Sequence, residues 1–351
     1  MIKSKLESLA IALLAAASLA MNGEGGENRE QTLRIYTWSD YFDQTVIENF
    51  EEKFNCRVHI DYFDSNEALY AKLKTGAAAY DILTPSSYMS AVLWKQGLIM
   101  ELEAERIPNL VNIDRNFTSL TNDPGMVYSI PYTRTVTGVG YNTREVPPEA
   151  IGSWDIFSNS KFSKRMTMLN DMRETIGAAL KFLGFSLNTV NPAEINAAAR
   201  VILGWKGNLA KFDVDDSKIG LAAGEFLVTH AYNGDVALVM EENPDIGFFV
   251  PLEGSSIAAD DFVIQAISPT PKLAHAFINY MLDPEVAIAN MESVRYYMPN
   301  PKALERIDPE LRDNPAFAVD EGIMAKCEVI WDLGEDNPAY IRAWDKIKAE
   351  D

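Results

Sequence analysis

Leu33-Arg34-Ile35-Tyr36-Thr37-Trp38-Ser39-Asp40-Tyr41 reads as an apolar strand that ends in a polar-aromatic loop. The pattern returns twice: residues 58–63 end in Asp64-Ser65-Asn66-Glu67, and residues 80–83 end in Pro85-Ser86-Ser87-Tyr88. Helical spacing separates these strands. Val46, Ile47, Phe50 and Phe54 recur at threes and fours, Leu69 and Leu73 precede a stop at Gly76, and Met89, Val92 and Leu93 precede one at Gly97. Strands alternating with helices over short connections predict an α/β fold with a parallel sheet and right-handed crossovers. In such a sheet ligands bind beyond the carboxyl ends of the strands, where all three loops would open. The loops bring aromatic faces, hydroxyls and carboxylates but no Lys or Arg, a lining that suits an organic cation.

Further along, a Pro- and Asn-rich stretch (107–125) breaks the rhythm, and extended segments at 127–132 and 135–141 read as a crossing into a second lobe. A strand at 166–169, helices at 175–185 and 192–203 and a strand at 246–251 would build that lobe. An extended run at 261–267 would return, followed by helices at 272–282, 285–292 and 340–348. At 351 residues the chain exceeds what one core usually serves. The expectation is two lobes, each a mainly parallel sheet flanked by helices, hinged by extended crossovers. Lobe one would hold 32–136 plus 260–303, and lobe two 137–259 plus 304–351.

The formal charge is −20, and because Lys3 and Lys5 outweigh Glu7, the chain beyond the first twenty residues carries −21. So acidic a chain argues against nucleic acid or an anionic membrane as partner, and it concentrates small cations near its surface. The same charge also serves plain solubility. Residues 1–20 read as a signal peptide: two lysines, an apolar run and a Ser18-Leu19-Ala20 cleavage site. Residue 21 is Met, not the Cys that a lipid anchor needs. Residues 21–31 read as a flexible Gly/Glu-rich leader, and export to the periplasm is expected. Cys56 and Cys327 are either paired or independently buried.

Each candidate site residue has a structural reading beside the functional one. Trp38, Ser39, Asp40 and Tyr41 either open a helix, with Ser39 or Asp40 as cap, or line a site. Ser86 either caps a helix or meets an ammonium, and Tyr88 is either core or an aromatic wall. Asp171-Met172-Arg173-Glu174 forms a capping box whose carboxylates have lone pairs to spare for a ligand. Tyr232-Asn233-Gly234-Asp235 is turn-like, either a plain surface turn or a place where Tyr232 and Asp235 meet the ligand. Asp260-Asp261 precedes an apolar strand, so one acid would enter a cleft and the other would face solvent. Tyr296-Tyr297 admits a ferric-iron reading, but no His has ligand spacing. No nucleophile elbow, zinc-protease motif or phosphate loop is present, so no catalytic residue, metal ligand or cofactor is assigned. Abundant acids still permit a carboxylate-dependent hydrolase.

The order and spacing of these motifs resemble the periplasmic spermidine/putrescine-binding proteins of bacterial ABC importers. The resemblance runs from about Leu33 onward. It rests on Tyr36-x-Trp38-Ser39-Asp40-Tyr41, Asp64 to Glu67, Tyr80-Asp81, Pro85-Ser86, Ile130-Pro131-Tyr132, Asp171-x-x-Glu174, Asn233-Gly234 and Arg342-Ala343-Trp344-x-Lys346. It implies two lobes closing on a polyamine, delivery to a membrane permease and a monomer. It implies that Trp38 stacks on the ligand chain, that Asp40 and Tyr41 neighbour an amine end, and that Ser86 and Tyr88 give a hydroxyl and an aromatic wall. Asp171 and Glu174 would accept ammonium groups, Asp260 would be the main anchor, and Tyr296 a further contact. The chain departs from the family at Tyr232, where Trp is common, at Ala258, where Trp or Phe is common, and at Ile330, near which spermidine binders carry Gln. Other cations, thiamine or ferric iron, and hydrolysis remain the alternatives.

Overall fold

The computed structural model describes residues 31–76, 79–334 and 337–350. The expected signal peptide and the leader up to residue 30 lie outside the described residues, and Gln31 already belongs to the first strand. β1 (Gln31–Thr37), α1 (Gln44–Phe54), β2 (Cys56–Tyr62), α2 (Asn66–Lys74), β3 (Ile82–Leu83) and α3 (Ser87–Lys95) follow in the predicted alternation. β2 and β3 both pair parallel with β1. β1 is covered on both faces. Leu33 and Ile35 join a core with Phe50, while Tyr36 joins another with Leu69 and Leu93. Such two-sided burial is why the strand reads as nearly continuous apolar sequence. α1 is capped by Asp43, which accepts from the Val46 amide, so Ser39 and Asp40 are not its cap.

The chain continues through β4 (Ile130–Asn142), β5 (Met166–Met168), α4 (Met172–Phe182), α5 (Pro192–Lys206), β6 (Leu209–Phe212), α6 (Asp215–Ala222), β7 (Val228–Tyr232), α7 (Asn233–Glu242), β8 (Ile246–Phe249), β9 (Ser256–Ile264), α8 (Pro271–Met281) and α9 (Pro284–Val294). After short helical turns come β10 (Glu328–Val329) and α10 (Asn337–Ala349). β4 and β9 are the crossing strands. β4 pairs antiparallel with β9 up to Val136, then with β7 and β8 from Thr137 onward. β9 pairs antiparallel with β3 through Val263 and Ile264.

The expected two-lobed α/β architecture is present, and its parallel strands are joined by antiparallel ones. Each half has a parallel trio, β2-β1-β3 or β6-β5-β7, and antiparallel strands beside it. The antiparallel members include the two crossing strands, which enter each half from the other. In the second half Trp154, Phe157, Ile176, Ile202 and Trp205 form one core, and Val136, Leu221, Val236 and Phe248 another. Ile307, Leu311 and Phe317, beyond the expected lobe boundary at 303, pack with Leu33 and Phe277 of the first half. Cys56 lies in the first core and Cys327 against that of Val136. Among the described residues no helix is long and apolar enough to cross a membrane.

Gly138 on β4 shows how tightly the crossing strand is gripped. A Cβ there would lie 2.5 Å from the Phe248 ring and 2.6 Å from the Phe249 carbonyl oxygen. Gly138→Ala is expected to destabilise the fold by about 1–3 kcal/mol, the usual range for an overpacked core. A urea unfolding curve reads this, and an unchanged midpoint would contradict the packing.

Candidate functional site

Eleven of the twelve residues singled out in the sequence line one cleft between the two halves. Trp38, Ser39 and Tyr41 come from the loop after β1, Ser86 and Tyr88 from the loop after β3, and Asp260 from β9. Asp171 and Glu174 come from the start of α4, Tyr232 and Asp235 from the β7–α7 junction, and Tyr296 from the segment after α9. Asp40 is the exception. It points away, with a backbone φ of 51°, and pairs with Lys218 at 2.7 Å.

Asp260 is buried and organised by hydroxyls. Tyr41 donates to its Oδ2, and Ser86 donates to its Oδ1 at 2.7 Å. Ser86 stands at the N-cap position of α3 but gives that helix no side-chain bond. Asn66 fixes it instead, donating to its hydroxyl at 3.2 Å and accepting from its amide at 3.1 Å. Burial pushes the Asp260 carboxyl up to about 6, against the pull of the Tyr41 and Ser86 donors. Asp261, on the opposite face, is not solvated as expected. It is fully buried beside Ser87, Ser90 and Ser129, and burial pushes it up to about 7.

Only the Asp171 half of the expected capping box forms. Asp171 accepts from the amides of Arg173 at 2.9 Å and Glu174 at 3.0 Å, and it still lines the cleft. Glu174 does not reach back to the cap. Its Oε2 accepts from Thr137 at 3.0 Å and from the Ser256 hydroxyl. Burial and then the neighbouring Asp171 charge push Glu174 up to about 8. Among the described residues Arg173 forms no ion pair; its guanidinium donates to the Trp331 carbonyl and Asn188 at 2.9 Å each, and its charge pulls against the upward shifts of Asp171 and Glu174.

The aromatic side chains complete the walls. Trp38 meets Phe63 edge-on at 4.3 Å, and among the described residues its buried indole N–H has no hydrogen-bond partner. Tyr296 donates to Asp235 at 3.2 Å. Gly234 leaves room for it, since a Cβ there would sit 2.5 Å from the Tyr296 ring. Asn233, rather than forming a surface turn, accepts from the Val136 amide at 2.9 Å and donates to the Ala316 carbonyl at 2.8 Å. Tyr297 turns elsewhere, with Arg134 over its ring at 4.0 Å, so the vicinal tyrosines do not converge on one ion. Among the described residues no group of three or more His, Cys, Asp and Glu is arranged to hold a metal.

The sequence reading missed Thr135, Val214 and Asp215, which also line the cleft, and it quoted Asn66 without assigning it a role. Asp215 opens α6, whose buried residues are only Ser217, Gly220 and Leu221, so no apolar periodicity revealed that helix. Ala258 and Ile330, noted as departures, line the cleft as small or apolar wall.

A cleft between two α/β halves, lined by rings and buried carboxylates, is the architecture of a solute-binding protein. The family model described as "bacterial extracellular solute-binding protein" matches residues 45–319, and the chain belongs to that family. It is 30% identical to a spermidine/putrescine-binding periplasmic protein of Salmonella typhimurium, over 96% of this chain and 97% of that one. It is 31% identical to a putrescine/cadaverine-binding protein of Pseudomonas aeruginosa, over 96% and 98%. A solved structure from Listeria monocytogenes, assigned to a spermidine/putrescine ABC transporter, superposes with a TM-score of 0.87 at 31% identity, covering 91% of this chain and 99% of that one.

Protonation sets the pH response. A bound cation favours ionised carboxylates, so affinity for it should rise as pH climbs from about 6 to about 8, the values of Asp260 and Glu174. Binding near pH 7 should then release on the order of one proton, read by calorimetry in buffers of different ionisation enthalpy. A flat or falling affinity would contradict this. Without ligand the sign reverses. Glu174 is raised from 4.5 to about 8 in the fold, so its contribution to stability is full below 4.5 and is lost as pH rises through about 8. The melting temperature of the free protein should fall over that window, and that of Glu174→Gln should fall less.

Proposed function

We propose that this chain captures a polyamine, putrescine or spermidine, in the interlobe cleft and hands it to an ABC permease at the membrane. The observation that carries the reading is the set Asp171, Glu174 and Asp260. These buried carboxylates share one cleft with Trp38, and among the described residues none of the three forms an ion pair. Buried acids that face a cleft and lack a cation there make the cleft a favourable place for one. Polyamines are charged at both ends with methylenes between, which matches acids joined by rings. An ammonium about 4 Å from a carboxylate gains roughly 4 kcal/mol at an effective dielectric near 20, before desolvation is counted. Trp38 covers the methylenes and adds about 0.5–2 kcal/mol where the ammonium lies over its face.

The relatives' names support the ligand class and a periplasmic setting. The division into lobes at the crossing strands β4 and β9, with residues 304–317 joining the first, belongs to the same proposal. So do hinge closure on the ligand, removal of residues 1–20 and a monomeric state. Ligand that touches both lobes favours the closed form, because only that form contacts it from both sides.

Calorimetric titration with putrescine, spermidine and spermine tests the reading, with thiamine and Fe(III) as rivals. Saturable 1:1 binding of at least one polyamine is expected, without turnover. Asp260→Asn should weaken it at least about thirtyfold, as loss of a buried charge partner does. Trp38→Ala should weaken it about 2- to 30-fold. No heat with any polyamine, or binding of thiamine or iron instead, would overturn the assignment.

A further inference from the structure

The acids of the cleft fall into two sets, and only one lacks a cation. Asp171, Glu174 and Asp260 make up the inner set. At the mouth, Lys218 of α6 reaches Asp40 at 2.7 Å and Asp215 and Asp235 at 3.9 Å each. Its side chain is 16% exposed. Burial works against its charge, but Asp235, Asp40 and Asp215 together outweigh that and raise its pKa. Asp235 is common to the cleft and to the outer groove that Lys218 lines. Ser39 donates to Asp215 at 2.9 Å, and Tyr296 to Asp235 at 3.2 Å, so the mouth acids are held in place around the lysine. Asp40 lies in the first half, and Lys218, Asp215 and Asp235 in the second.

From this geometry we infer that Lys218 determines specificity: its ammonium fills the cation position at the mouth of the cleft, so that the site takes a diamine and disfavours a third ammonium. The inference rests on the polyamine reading. A diamine needs charge partners at the inner acids alone. An ammonium that a longer triamine brings to Asp235 meets the Lys218 ammonium, 3.9 Å from that carboxylate. Rejection by a built-in repulsive group is a common route to specificity, and it acts on the difference between ligands rather than on both. The wall at Ala258 and Ile330 adds no side-chain acceptor for the extra ammonium. The Lys218–Asp40 pair also ties the two halves together, an effect shared by every ligand that needs closure.

The test is the ratio of spermidine to putrescine affinity, measured by calorimetry on the intact mature chain. The ratio cancels any common effect on closure. Lys218→Met keeps the length of the side chain and removes the charge. It should move the ratio about tenfold or more towards spermidine. Asp40→Asn, at an exposed position, breaks the tie but leaves Lys218 beside Asp215 and Asp235. It should leave the ratio within about twofold, which separates charge at the mouth from closure. A Lys218→Met protein that melts like the wild type and binds both amines with an unchanged ratio would overturn the inference and leave the polyamine reading intact. Failure of the wild type to bind either amine would end both.

Discussion

Asp260 ties the two halves of this protein to one chemical requirement. It sits on β9, a strand that pairs with β3 in the first half and with β4, which runs on into the second. Its carboxylate is buried, and the groups that hold it come from loops after β1 and β3. Two hydroxyls and no cation leave a negative charge in a poor solvent. Such a charge costs several kcal/mol unless it is paired or protonated. Asp171 and Glu174 add to the same cost from across the cleft. The fold therefore carries a local instability that an external cation relieves, a pattern expected where a site is kept ready at the expense of stability.

The surrounding structure keeps those acids from finding a partner of their own. Arg173, between Asp171 and Glu174 in sequence, is buried but directed towards the Trp331 and Leu187 carbonyls and Asn188. Ser86 gives its proton to Asp260 and leaves the start of α3 without a side-chain cap. Ser256 and Thr137 turn Glu174 away from the reciprocal bond of a capping box. Each is a place where the local rule yields to the site. At the mouth the opposite choice is made: Lys218 is shared by three acids that approach from both halves. One end of the cleft lacks a cation and the other already holds one.

Much of this was legible in the sequence because it follows short-range patterns. The strand–helix alternation up to Gly97 marks β1 to α3, and the strand-end loops lead to Trp38, Tyr41 and Ser86. What was not legible depends on contacts distant in the chain. The antiparallel partners of β4 cannot be read from β4 alone, since parallel and antiparallel strands share an apolar pattern when buried on both faces. Spacing could not separate the directions of Asp40 and Tyr41. Only the left-handed turn at Asp40 sends its carboxylate outward while Tyr41 turns in. α6 has too few apolar residues to announce itself, so Asp215 and Lys218 stayed hidden. Asp261 looked solvent-facing because alternation gives the face but not what covers it.

The most direct test is a crystal structure of the protein grown with putrescine. A diamine is expected in the cleft, with one ammonium within about 3 Å of Asp260 and the other within reach of Asp171 or Glu174, its methylenes against Trp38. A diamine found only at the surface, or a cleft occupied by an anion under the same conditions, would contradict the central claim.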